Sequence, residues 1–268
     1  MGKGKPFLEV FASAVHEDYR FPFLEIFAFL YALGTFVLAN FSASIPTQIA
    51  TNEAAAYTVT TSLLSGSLIV FIIVVLKNVA YGLGSDLEKG IVQTYFSYPL
   101  RRWKILTAKL FSAIGVSLLL FLGIQISALY ILAPDIILPQ IGTVLLTYAA
   151  SLSFPLFISA IMLLLTLILR RGGIALVVGI VLYFSMSIIS GIAFAIAFAT
   201  ESPLALQIIS IISPTYALQY HYGSLSNFFS VSWTPTLSET MLYLGTSYAI
   251  VASLFVLGYV YFTRRLNL

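Results

Sequence analysis

The chain has 268 residues, of which 60% are hydrophobic and 9% charged, with a formal charge of +3 and a mean hydropathy of +1.01. A soluble domain carries about 25% charged residues, so a water-soluble fold could not cover this much apolar surface. There is no cysteine, which excludes disulfides, thiolate metal sites and cysteine nucleophiles together.

The apolar residues fall in unbroken stretches of about twenty or more, enough to cross a hydrocarbon core of about 30 Å at about 1.5 Å per residue. This predicts an all-α, polytopic integral membrane protein: a single transmembrane domain over 1–268 with six transmembrane helices. Ahead of the first span, residues 7–20 place Phe7, Val10, Phe11, Ala14 and Val15 on one helical face, with Glu9, His16, Glu17 and Asp18 elsewhere. The pattern predicts an N-terminal interfacial helix, stopped by Phe21-Pro22. Lys3 and Lys5 are followed by acids before any apolar run, which does not read as a cleavable leader.

Spans are expected at about 21–42, 58–80, 104–132, 142–169, 174–199 and 241–262. The cytoplasmic gaps, with the span ends that border them, then hold Lys3, Lys5, Arg20, Lys77, Lys89, Arg101, Arg102, Lys104, Lys109, Arg170, Arg171, Arg264 and Arg265, which is every Lys and Arg in the chain. The other gaps carry Glu53, Asp135, Glu201 and Glu239. Random placement would give this roughly once in ten thousand, so the positive-inside rule predicts both termini in the cytoplasm and a multi-pass protein of the plasma membrane. The basic face meets anionic lipid and gives no ground for nucleic-acid binding. Between spans four and five only RRGG remains, with glycine suited to the left-handed conformation that ends a helix. Residues 200–240 include PLALQIISIIS, Tyr216, Tyr220, Tyr222 and Trp233, and predict a short pair of re-entrant or interfacial helices on the extracytoplasmic side.

Residues 85–110, SDLEKGIVQTYFSYPLRRWKILTAKL, join spans two and three. Ser85 and Glu88 form a capping-box pattern that starts a helix over 85–99. Leu87, Ile91 and Tyr95 make an apolar stripe, Asp86, Glu88, Lys89 and Gln93 supply polar surface, and Pro99 ends it. By pattern alone, a solvated connector and a docking element are equally good readings.

The run Glu88, Gly90, Tyr98-Pro99, Arg101-Arg102 and Lys109 resembles the E-x-G, P-x-[SR]-R, K signature of ABC transporter permeases of the second exporter type. In that family this segment also follows the second of six spans. The resemblance implies a cytoplasmic coupling helix in which Asp86, Leu87, Glu88, Lys89, Gly90, Ile91, Pro99, Arg101 and Arg102 engage a separate ABC ATPase. Arg101 stands where the family commonly has a small or polar residue. The sequence has no G-x-x-x-x-G-K-[ST] phosphate loop, so this chain is expected to be a non-catalytic permease binding no cofactor. ATP and magnesium would belong to the ATPase, present in two copies beside a homodimer of permeases.

Other classes find less support. His16 and His221 are expected on opposite sides of the membrane, and Met1, Met162, Met186 and Met241 are scattered, so no catalytic or metal site is predicted. Only Glu25 is read as an ionisable group inside a span, near its end, whereas channels and carriers usually bury such groups. Thr61, Ser62 and Ser65 on span two and Ser185, Ser187 and Ser190 on span five are candidates to line a pathway or to pack helices and a dimer. A pathway without buried charge favours an apolar or amphiphilic substrate. The alternatives are an ATP-driven machine acting on an extracytoplasmic partner, and an ATP-independent carrier, which the absence of matching repeats disfavours.

Overall fold

A backbone in hydrocarbon must satisfy its own hydrogen bonds, and long apolar runs do so as helices. The computed structural model describes residues 5–42, 51–96, 100–222 and 233–264, and these form helices and no strands. The amphipathic segment is α1 (Lys5–Tyr19), with Val10 and Ala14 buried and Glu9 and His16 exposed. A turn at 20–22 leads into α2 (Phe23–Ser42), and the two helices are bent by 64°.

Next come α3 (Asn52–Glu88), α4 (Ile91–Phe96) and α5 (Arg102–Leu132). They are followed by α6 (Pro134–Leu169), α7 (Gly172–Thr200), α8 (Leu204–Ser210), α9 (Thr215–His221) and α10 (Leu237–Arg264). Among the described residues, α3, α5, α6, α7 and α10 are each long and apolar enough to cross a membrane, and the bent α1–α2 pair would bring the number to six. The chain is an all-α, multi-pass membrane protein. The helix that holds predicted span two extends past both of its expected ends, from Asn52 to Glu88.

Burial orders the bundle. The apolar windows of α3 and α6 are 61% buried and that of α5 is 50%, whereas those of α7 and α10 are 17%. α3 therefore lies at the centre, packed by α2, α5 and α6, while α10 packs on α6, and α7 on α6 and the cytoplasm-predicted end of α3. Val177, Val181, Phe184 and Ile188 of α7 point outward, as an apolar solvent permits. The central core is aromatic: the buried Phe121 ring lies 6.0 Å from Tyr31, 5.9 Å from Phe71 and 6.3 Å from Tyr148. Close packing of α2 on α3 needs Gly34, where a Cβ would come 3.1 Å from the Gly66 carbonyl carbon.

The RRGG hairpin differs from expectation. Arg170 takes the left-handed conformation, at φ 52°, and Gly172 already begins α7. The glycine is required for contact: a Cβ on Gly172 would meet the Ser85 amide nitrogen and the Tyr81 carbonyl oxygen at 2.8 Å.

Buried Gln125 of α5 ties four helices. Its Nε2 donates to Thr35 Oγ1 of α2 (2.8 Å), to the Leu63 carbonyl of α3 (3.1 Å) and to Ser67 Oγ, and its Oε1 accepts from Tyr148 of α6 (3.0 Å). Each bond satisfies a group with no water to turn to. Replacing Gln125 by Leu is expected to destabilise the fold by about 1–3 kcal/mol, because Tyr148 loses its acceptor and α5 its polar ties. Reversible unfolding in detergent micelles measures this, and an unchanged midpoint would show that the network is energetically idle.

Candidate functional site

The connector between α3 and α5 is not one helix over 85–99. α3 runs through Ser85 without interruption, so the amides of a helix start are already bonded and the capping box does not form. Glu88 Oε2 instead accepts from the Gly172 amide at 3.2 Å, at the free N-terminus of α7, where the helix dipole favours an anion. Gly90, at φ 72°, ends the run, and six-residue α4 follows. The predicted Leu87–Ile91 stripe is thereby broken. Leu87 joins the main core, whereas Ile91 packs against the separate cluster of Val10, Ile105 and Ala108. Tyr98 and Pro99 lie outside the described residues.

Each remaining predicted residue has a definite place. Asp86 is buried, Glu88, Lys89, Arg101 and Arg102 are exposed, and Gly90 is half-buried. Trp103 is also exposed, with the Lys104 ammonium 5.6 Å from its ring centroid. The connector thus has a buried side fixed to the bundle and a basic outer side.

What fixes it is an ion triad. Lys109 Nζ, on α5, lies 2.7 Å from both Glu17 Oε2 of α1 and Asp86 Oδ2 of α3. The Lys109 and Asp86 side chains are 9% and 4% exposed, and that of Glu17 is 47%. Next to it, Ser112 Oγ donates to Asp18 Oδ2 and Tyr19 donates to the Ala113 carbonyl at 3.2 Å. Lys77 donates to the Asp18 carbonyl oxygen, with its ammonium 4.7 Å from the Phe23 ring centroid. α3 and α5 widen into π-helix here, over Leu76–Leu83 and Phe111–Val116. Lys77, Asp86 and Lys109 all lie near the ends of spanning-length helices, and Glu25 is exposed. Their signal was charge interrupting the ends of apolar runs.

The two hydroxyl sets do not converge. Thr61, Ser62, Ser187 and Ser190 donate to carbonyls four residues back in their own helices, and Ser185 and Ser187 are exposed on α7. Ser65 bonds the Ser62 carbonyl and lines a groove of about 360 Å³. Ile69, Ile72, Phe154, Tyr183 and Tyr216 also line this groove, which α3, α6, α7 and α9 enclose, and no charged side chain does. No protein-family model, curated protein or solved structure matches this chain.

Lys109→Met would leave the Asp86 carboxylate buried without its partner and is expected to cost about 3–5 kcal/mol. The double variant Lys109→Met with Asp86→Leu should recover most of that loss, and Glu17→Gln, at a half-exposed position, should cost about 1 kcal/mol or less. Unfolding midpoints of the three variants in one detergent give the ranking, and equal losses for Glu17→Gln and Lys109→Met would refute it.

Proposed function

We propose that the chain is the transmembrane subunit of an ATP-driven exporter, an ABC permease of the second exporter type that exports an apolar or amphiphilic substrate. In this reading α2 is the first of six spans, α1 lies in the cytoplasmic interface, and both termini are cytoplasmic in the plasma membrane. Two copies pair with two ATPases that bind ATP and magnesium. The observation that carries the proposal is the built connector: Leu87, Ile91 and the Asp86–Lys109 pair anchor it to α1, α3 and α5, while Lys89, Arg101 and Arg102 face outward. A merely solvated strap has no need of buried charge to hold it.

The signature residues divide accordingly. Asp86, Leu87 and Lys109 transmit force within the permease, Gly90 makes the turn, and the exposed basic residues meet the ATPase. The groove beside Ser65 supplies apolar walls with hydroxyl groups and suits an uncharged amphiphile.

A photocrosslinking amino acid at Lys89, activated in living cells, tests the assignment. The expected adduct is with a protein bearing a phosphate loop, and Arg101→Glu should reduce it by about tenfold, the effect of about 1.4 kcal/mol at a charged contact. Crosslinks to lipid alone, or an adduct with a protein lacking a phosphate loop, would overturn the proposal.

A further inference from the structure

Between α1 and the π-helical stretches of α3 and α5 lies a cavity of about 10 Å³, bordered by Glu17, Asp18, Asn78, Asp86 and Lys109 among others. That is room for about one water molecule. Asn78 is 3% exposed, and neither its Nδ2 nor its Oδ1 has a hydrogen-bond partner among the described residues. A buried amide left bare costs about 1–3 kcal/mol, and a water in a cavity with polar walls removes that cost.

The charged groups here are Glu17 and Asp18 of α1, Arg20 just after it, Lys77 and Asp86 of α3, and Lys109 of α5, with Glu17 and Arg20 exposed. Lys109 answers Glu17 and Asp86 directly. Lys77 is directed to the main-chain carbonyl of Asp18 and to the Phe23 ring. The neighbouring Tyr19 hydroxyl is engaged with Ala113, and Arg20 is exposed. Asp18 is 7% exposed and makes no direct ion pair among the described residues; its carboxylate accepts from the neutral Ser112 hydroxyl, with Lys109 and Lys77 acting on it at longer range. A buried carboxylate held only by a neutral hydroxyl in direct contact is relieved by taking up a proton.

We propose that Asp18, Asn78 and the cavity beside them form a proton-binding site, in which one water bridges to the Asn78 amide and the Asp18 carboxylate takes up one proton. The proton passes from bulk water to an Asp18 oxygen by way of the cavity water, and no other bond is made or broken. Burial pushes the Asp18 carboxyl up to about 6, against the opposing pull of the Ser112 hydrogen bond and the charges of Lys109 and Lys77. Because the docked state binds the proton more tightly than the undocked one, docking of α1 strengthens as pH falls through about 6 and weakens as pH rises through it. The inference rests on the proposed interfacial placement of α1 but not on the ATPase or the substrate, and the titration of Asp18 can fail without touching either.

The test uses the full chain in lipid nanodiscs, followed by infrared difference spectroscopy and by hydrogen exchange of α1 amides as pH is stepped from about 8 to about 3. A protonated-carboxyl band should appear with a midpoint near 6 and be absent in Asp18→Asn, while the protection of α1 amides, after correction for the intrinsic pH dependence of exchange, rises several-fold across the same range. Asp18→Asn, being neutral throughout, should keep its α1 amides equally protected at both ends. Ser112→Ala should move the midpoint upward, because a bond favouring the carboxylate is lost, and a purely structural role for Ser112 would not move it. A band that survives Asp18→Asn, or a wild-type midpoint at the ordinary carboxylate value of about 4, would overturn the proposal.

Discussion

The Lys109 ammonium, 2.7 Å from both Glu17 and Asp86, joins three segments that lie far apart in the chain: the end of α1, the end of α3 and the start of α5. Taking such charges out of water costs several kcal/mol per ion, and only good geometry with satisfied hydrogen bonds offsets it. The surrounding structure supplies both. Apolar packing of Val10, Ile105, Ala108 and Ile91 holds α1 and the connector against α5, and the Ser112, Tyr19 and Lys77 contacts fix α1 next to the triad. Without Lys109 the buried Asp86 would have no counter-charge, and the connector would lose its link to the end of α3.

A second constraint is the accounting of polar groups away from water. Gln125 meets it in the middle of the bundle by bonding α2, α3 and α6 at once. Glu88 meets it at the α7 terminus, where the free Gly172 amide needs an acceptor. That bond is available because Gly84 and Gly172 let the helices approach closely: a Cβ on Gly84 would stand 2.8 Å from the Gly172 Cα. Small residues and polar contacts thus act together, one setting the distance and the other using it.

Much of this was legible in the sequence. Apolar run length located the long helices, and the spacing of Val10 and Ala14 gave the buried face of α1. The short helices α8 and α9 lie in the 200–240 segment whose apolar and aromatic residues suggested them. The failures have a common cause. Ser85-x-x-Glu88 and Leu87-Ile91 are local patterns, and local patterns do not reveal that α3 arrives already helical or that Glu88 has a better partner 84 positions away. The ion triad was hidden for the same reason, since Glu17 and Lys109 are separated by 92 positions and meet only through packing.

The two features of greatest functional interest lie on one helix. Ile69 and Ile72 of α3 line the groove, and Asp86 closes the triad about 25 Å further along at about 1.5 Å per residue. The π-helical stretch Leu76–Leu83 lies between them and is packed by α7. An α-helix transmits an axial push because every hydrogen bond resists it, whereas a π-helical stretch has wider turns and is a place where register can shift. On the exporter reading, a displacement at Glu88 therefore reaches the groove only to the extent that this stretch stays rigid. The same stretch supplies Lys77 and Asn78 beside Asp18. On the proton-site proposal, a change in the charge of Asp18 would therefore be felt first by the segment that joins the two ends of α3.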